Sequence, residues 1–183
     1  MLRSEGRLRR WAALGAVVAL VGTVSAAEGL RVSTLTRNGQ LLVSLELAGA
    51  YTDDIRATVQ SGLQTTFRYD VELRRKAVFW PDPTLGSATL AATVRYDNLT
   101  QQYSVARLQD GHVEETVVVA EEEDVRRLLT QFERVPLFST SALEPNAAYR
   151  VRVRARTRPR NTWFVWPWPG AAASGVASFT FLP

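Results

Sequence analysis

Between Leu63 and Arg75 the chain alternates without a break. Leu63, Thr65, Phe67, Tyr69, Val71 and Leu73 occupy one side, and Gln64, Thr66, Arg68, Asp70, Glu72 and Arg74 the other. Successive side chains of a strand point to opposite faces, so the segment reads as a strand with one buried and one wet side. A strand wetted on one face favours antiparallel sheet, because parallel sheets are covered on both faces. Whatever else the chain forms must supply a second apolar layer for that buried side.

The same period recurs. Leu41, Val43, Leu45 and Leu47 point one way, with Ser44 and Glu46 opposite, and further strands read at Leu30–Thr36, Ala91–Tyr96, Gln102–Leu108, Val113–Val119, Tyr149–Thr157 and Val176–Leu182. Asn38-Gly39 and Asp110-Gly111 each separate two of these runs, and both dipeptides suit two-residue hairpin turns that need positive φ. Two segments change to helical period. Thr52-Asp53-Asp54 offers a cap and first-turn acids ahead of Ile55 and Val59, with Gly62 as the stop. Glu121 to Asp124 precede Val125, Leu128, Leu129 and Phe132 at i, i+3, i+4 and i+7, a helix that ends before Pro136. Seven or eight strands with two short helices predict a mainly β, β-rich α+β domain over residues 28–183. Its expected architecture is an antiparallel, immunoglobulin-like β-sandwich.

No cysteine is present, so no disulfide helps and the hydrophobic core alone holds the fold. The same absence excludes a thiol nucleophile or thiolate metal site, and the single histidine, His112, excludes a multi-histidine one. No cofactor is predicted.

Residues 1–27 carry an address. Arg3, Arg7, Arg9 and Arg10 precede the apolar run Trp11 to Val24, which Ser25-Ala26-Ala27 follows: a basic region, an apolar region and small residues at the cleavage positions of an export signal. The run falls short of the roughly 20 residues that span a bilayer. The expectation is an exported protein, in the periplasm after cleavage, or held at the inner membrane facing the periplasm if the segment is retained. Cleavage after Ala26 removes four of the chain's 22 basic residues and one of its 18 acids, leaving a net charge near +1. That gives nucleic acid no basis as a partner, since recognition of nucleic acid calls for a basic domain with clustered charge.

Two surfaces stand out as candidate binding residues. Arg150, Arg152, Arg154, Arg156 and Arg158 recur at every second position, which on a strand spaces guanidiniums roughly 6.6 Å apart along one face. Like charges so placed repel, and two readings offset them: acids such as Glu46, Asp70 or Glu72 on a neighbouring strand, or a polyanionic partner such as lipid phosphate, lipopolysaccharide or an acidic protein. Trp163, Trp166 and Trp168 cluster in a segment whose Pro167 and Pro169 exclude regular structure. They either fill core beneath a long connection or form an aromatic contact surface, since Trp is enriched at bilayer interfaces.

The remaining features have plainer readings. Four acids at a helix start are explained by the helix dipole, and they lack the spacing and glycine of a calcium loop. His112 after a turn reads as exposed, and no nucleophile-elbow pattern accompanies it. An enzyme built on paired carboxylates would need them in one cleft, a placement that sequence alone does not give.

The run SGLQTTFRYDVELRRKAVFWPD from Ser61 to Asp82, followed by RYDNLTQQYSVAR from Arg95 to Arg107, resembles the bacterial family of exported proteins labelled domain of unknown function 4390. The likeness spans roughly residues 30–158. It departs at the C-terminus, where a Leu-Pro-rich tail and a Ser-x-Trp strand would be expected and a Trp-Pro segment stands instead. The family has no established activity, so the resemblance carries over no catalytic residues. Members are encoded beside sensor histidine kinases in several proteobacteria, which implies a non-enzymatic envelope accessory with a protein partner, such as the sensor itself.

Overall fold

A computed structural model describes residues 24–26, 29–77, 81–159 and 173–182. The strands are β1 (Val24–Ala26), β2 (Leu30–Arg37), β3 (Gln40–Leu47), β4 (Thr65–Arg75), β5 (Thr84–Asp97), β6 (Gln102–Gln109), β7 (His112–Val119), β8 (Gln131–Ser139), β9 (Ala148–Pro159) and β10 (Ala173–Thr180). Helix α1 (Asp53–Gln60) joins β3 to β4, and α2 (Glu122–Thr130) joins β7 to β8. A seven-stranded sheet runs β1-β10-β9-β4-β5-β6-β7 and a three-stranded sheet runs β2-β3-β8, every pairing antiparallel.

The protein is mainly β, and the two sheets form the expected sandwich. Its core is the apolar half of each alternation. Phe67, Tyr69, Val71 and Leu73 of β4 lie with Leu90, Ala92 and Val94 of β5 and Tyr149, Val151, Val153 and Ala155 of β9. Leu30 and Val32 of β2 and Leu41, Val43, Leu45 and Leu47 of β3 belong to the same core. Val59 of α1 and Val125 and Leu129 of α2 complete it. Each fully buried Leu, Val or Phe contributes about 1.5–3 kcal/mol of transfer free energy.

Local chemistry fixes the connections. Asn38 and Gly39 adopt φ 51° and 72°, and Asp110 and Gly111 adopt 50° and 87°, as their hairpin turns demand. Thr52 caps α1, its hydroxyl accepting from the Ile55 N–H at 3.4 Å. The phenol of Tyr69 donates to the Leu129 carbonyl at 2.8 Å, tying the centre of the large sheet to the last turn of α2. Its ring meets Phe132 edge-on at 5.4 Å.

The structure departs from the sequence reading at β8. The helix expected to run on towards Pro136 ends at Thr130, and the chain turns extended at Gln131. Phe132, which continues the i+7 spacing, is instead paired with Leu45 of β3. A strand residue just past the helix end falls where one more helical turn would have placed it, so periodicity alone could not separate the two. Pro136 is tolerated because β8 is an edge strand. The expected strand at Ala91–Tyr96 is also longer, beginning at Thr84. β1 lies within the stretch read as an export segment, Val24 to Ala26 pairing with Ala177 to Gly175. With β8 and β1 the strands among the described residues number ten rather than seven or eight.

The sheets close on each other at Gly175. A β-carbon there would lie 2.7 Å from the Leu30 carbonyl oxygen and 2.8 Å from a Val32 methyl, closer than side chains approach. Gly175→Ala therefore forces β10 away from β2, and a loss of about 1–3 kcal/mol in urea denaturation is expected. A second expectation concerns pH. Burial pushes the Tyr51 phenol up to about 12, with the Glu122 carboxylate adding to the effect, and burial raises Tyr69 as well. An acid whose folded pKa is raised favours the protonated native state, so this stability is complete below the unfolded value near 10 and is lost as pH rises through the folded value. Phenolate absorbance from these two tyrosines should appear only together with alkaline unfolding.

Candidate functional site: an arginine ladder on the large sheet

Because odd-numbered residues of β4 and β9 face the core, their even-numbered residues share the outer face. The β4–β9 register stacks them in rows: Arg74 opposite Arg150, Glu72 opposite Arg152, Asp70 opposite Arg154, Arg68 opposite Arg156, and Thr66 opposite Arg158. The first and fourth rows set like charges directly across from each other, an arrangement that opposes folding. Arg95 of β5 extends the same face, opposite Ser104.

The acids between these rows are shared. Glu72 lies 3.0 Å from Arg74 and 3.9 Å from Arg154. Asp70 lies 2.9 Å from Arg68 and 3.9 Å from Arg156. Asp82, from the β4–β5 connection, takes Arg150 at 3.2 Å. Arg152 stands directly opposite Glu72 yet forms no ion pair among the described residues, because Glu72 has turned to Arg74 on its own strand and to the diagonal Arg154. Six arginines (Arg68, Arg74, Arg150, Arg152, Arg154 and Arg156) thus share three carboxylates, a local surplus of three positive charges, while Arg95 lies further along β5 beside Asp97. The guanidiniums remain accessible, with Arg68 and Arg156 58% and 49% exposed.

Two of the acids named from the sequence, Asp70 and Glu72, therefore do lie beside the arginine row, but they neutralise only part of it. Glu46 belongs to the small sheet, 3.7 Å from Arg31. Arg68, Arg74 and Arg95 were not singled out as site residues. The first two sat on the wet side of the β4 alternation, and only the non-local register with β9 brings them to the ladder. Arg158 continues the register, while its side chain and those of Trp163, Trp166 and Trp168 lie outside the described residues, as do residues 1–23 of the export segment.

Elsewhere the charges are locally occupied. Glu122 at the start of α2 accepts from Arg56 of α1, and this bond holds the Arg56 guanidinium above its ordinary range. Glu123 and Asp124 accept from Arg126 and Arg127 one turn on, and the Arg126 contact holds the Glu123 carboxyl below its usual range. Among the described residues no three or more His, Cys, Asp or Glu side chains group to hold a metal ion, and no helix is long and apolar enough to cross a membrane. His112 is exposed beside the β6–β7 turn. A concavity of about 360 Å³ lies on the small sheet between Arg31, Ser33, Ser44, Glu46, Gln131 and Glu133.

The ladder makes its own stability prediction. Glu72→Gln should destabilise the fold by about 1 kcal/mol at low salt and less at high salt, where screening weakens the repulsion it no longer offsets. Arg152→Gln should leave urea stability unchanged or raise it, by up to about 0.5 kcal/mol, since Arg152 contributes repulsion without a pair.

A comparison with curated proteins and one with solved structures each return no match. The family model described as Domain of unknown function (DUF4390) matches residues 26–161, from the last residue of β1 through the whole of β9, and the chain belongs to that family.

Proposed function

We propose that this protein is an exported, non-enzymatic accessory module of the cell envelope that docks an anionic partner on the outer face of its large sheet. One observation carries the reading: Arg152 and its neighbours hold a surplus of guanidinium charge that opposes folding and that the acids among the described residues consume only in part. Self-repulsion of this kind persists most readily where a partner's charge offsets it. The export grammar of residues 3–27 places the module outside the cytoplasm, and an acidic extracytoplasmic surface, such as that of a sensor histidine kinase, fits the face.

A second reading, an anionic lipid or glycan, rests on chemistry rather than area. Guanidinium forks in a regular row match phosphate oxygens bidentately. Here the neighbouring Trp163, Trp166 and Trp168 would supply aromatic contact beside the arginines.

Binding of the wild-type chain and of R152E/R154E should be measured by flotation with phosphatidylglycerol vesicles, and by titration with the purified extracytoplasmic domain of a sensor histidine kinase. The reading expects the wild type to bind at least one of them and the variant to lose about tenfold or more of that binding, with the two arms separating lipid from protein. Equal binding by wild type and variant in both arms, or no binding in either, would overturn it.

A further inference from the structure

An open sheet ends in edges whose outward backbone groups can template another strand, and three of the four edges here are managed. The outer side of β10 pairs with β1. β8 carries Pro136 and two register shifts against β3, with Arg134 at φ 49°. β2 approaches β10 so closely that Gly175 has no room for a side chain.

β7 is different. Among the described residues it is the last strand of the large sheet and pairs with β6 alone, and it contains neither proline nor lysine. A register shift between Arg107 and Leu108 inserts Glu114 as an extra residue and interrupts the half next to the turn. Beyond it, Glu115 to Val119 pair regularly with Arg107 to Tyr103. Val118 is 59% exposed, and Val117 and Val119 are half-buried on the opposite face. Thr116-Val117-Val118-Val119 has the β-branched composition that strand addition favours, and alternate N–H and C=O groups along it point away from β6.

Charge decides what can sit there. Glu115 stands before the valine run and Glu121 after it, the latter in extended conformation ahead of α2. Glu115 faces Arg107 across the β6–β7 pair and shares its field, whereas Glu121 forms no ion pair among the described residues. An antiparallel second copy centred on Val118 would set Glu115 against Glu121 of its mate at both ends. Like charges directly opposite are destabilising, so that register is closed to its own kind. A strand with an apolar middle and a cation at each end would meet the valines and both carboxylates at once.

We propose that β7 is a strand-acceptor edge, to which an extended segment of a partner chain, apolar at its centre and basic at both ends, adds as the next strand of the large sheet. This surface is separate from the arginine ladder and does not depend on it.

The probes are two blocked synthetic peptides sharing the core Thr-Val-Ile-Val-Thr, one flanked by lysines and one by glutamates, added to the purified full chain. The lysine-flanked peptide should bind about tenfold or more tightly than the other and slow hydrogen exchange at Glu115 to Val119; E115K/E121K should reverse the preference. Glu115→Lys alone should convert the blocked self-pairing into an attractive one, so this variant should dimerise with concentration while the wild type and the double variant do not pair through β7. Equal affinity for the two peptides, no binding of either, protection confined to other strands, or an E115K variant that self-associates no more than wild type would each overturn the proposal.

Discussion

Everything in this molecule hangs on the pleat of β4. Its odd-numbered side chains reach into the sandwich and its even-numbered ones reach water, and β5 and β9 hydrogen-bond to it on either side. A shift of one residue in either pairing would carry Phe67, Tyr69, Val71 and Leu73 out of the core and bring arginines in. The desolvation cost of even one such guanidinium exceeds what any single cross-strand contact contributes. Register is therefore held by the core, without any disulfide. Tyr69 then extends that control beyond the sheet, since its phenol and ring fix where α2 ends and β8 begins.

The same pleat creates the charged surface. Once the core fixes the register, the outer residues of β4 and β9 must face each other whether or not they suit one another, and two of the rows set arginine against arginine. The acids relieve this along their own strand and, less closely, along diagonals rather than straight across, and Arg152 is left over. A surface selected only for solubility has cheaper solutions, since single lysines or mixed signs would serve as well. Here core packing and surface charge work against each other, and such conflicts mark the places where a sequence answers to something besides its own stability.

Much of the architecture was legible because its signals are local. Asn38-Gly39 and Asp110-Gly111 define their turns within a few residues, and Thr52 to Gly62 contains its own cap and stop. β8 was hidden because Phe132 satisfies the spacing of a helix and the pairing of a strand at once, and only contact with Leu45 separates them. Arg150, Arg152, Arg154 and Arg156 were legible as a row, but their opposite numbers were not. That Arg68 faces Arg156 while Asp70 faces Arg154 is a fact of β4–β9 register, and the two strands lie far apart along the chain. The unusual edge at β7 was equally silent, since exposure at Val118 depends on which strands are absent beside it.

The central pairing of the large sheet has a temporal consequence. β4 cannot complete its ladder until β9 arrives, and β9 is the next-to-last of the described strands. Loops of that length close slowly, and their entropy must be lost before any of the pairing is gained. The hairpins β2–β3 and β6–β7 can form early, but each is marginal alone. The nascent polypeptide therefore stays pliable until almost its last strand is delivered, a delay that suits any chain obliged to thread a narrow passage before it settles.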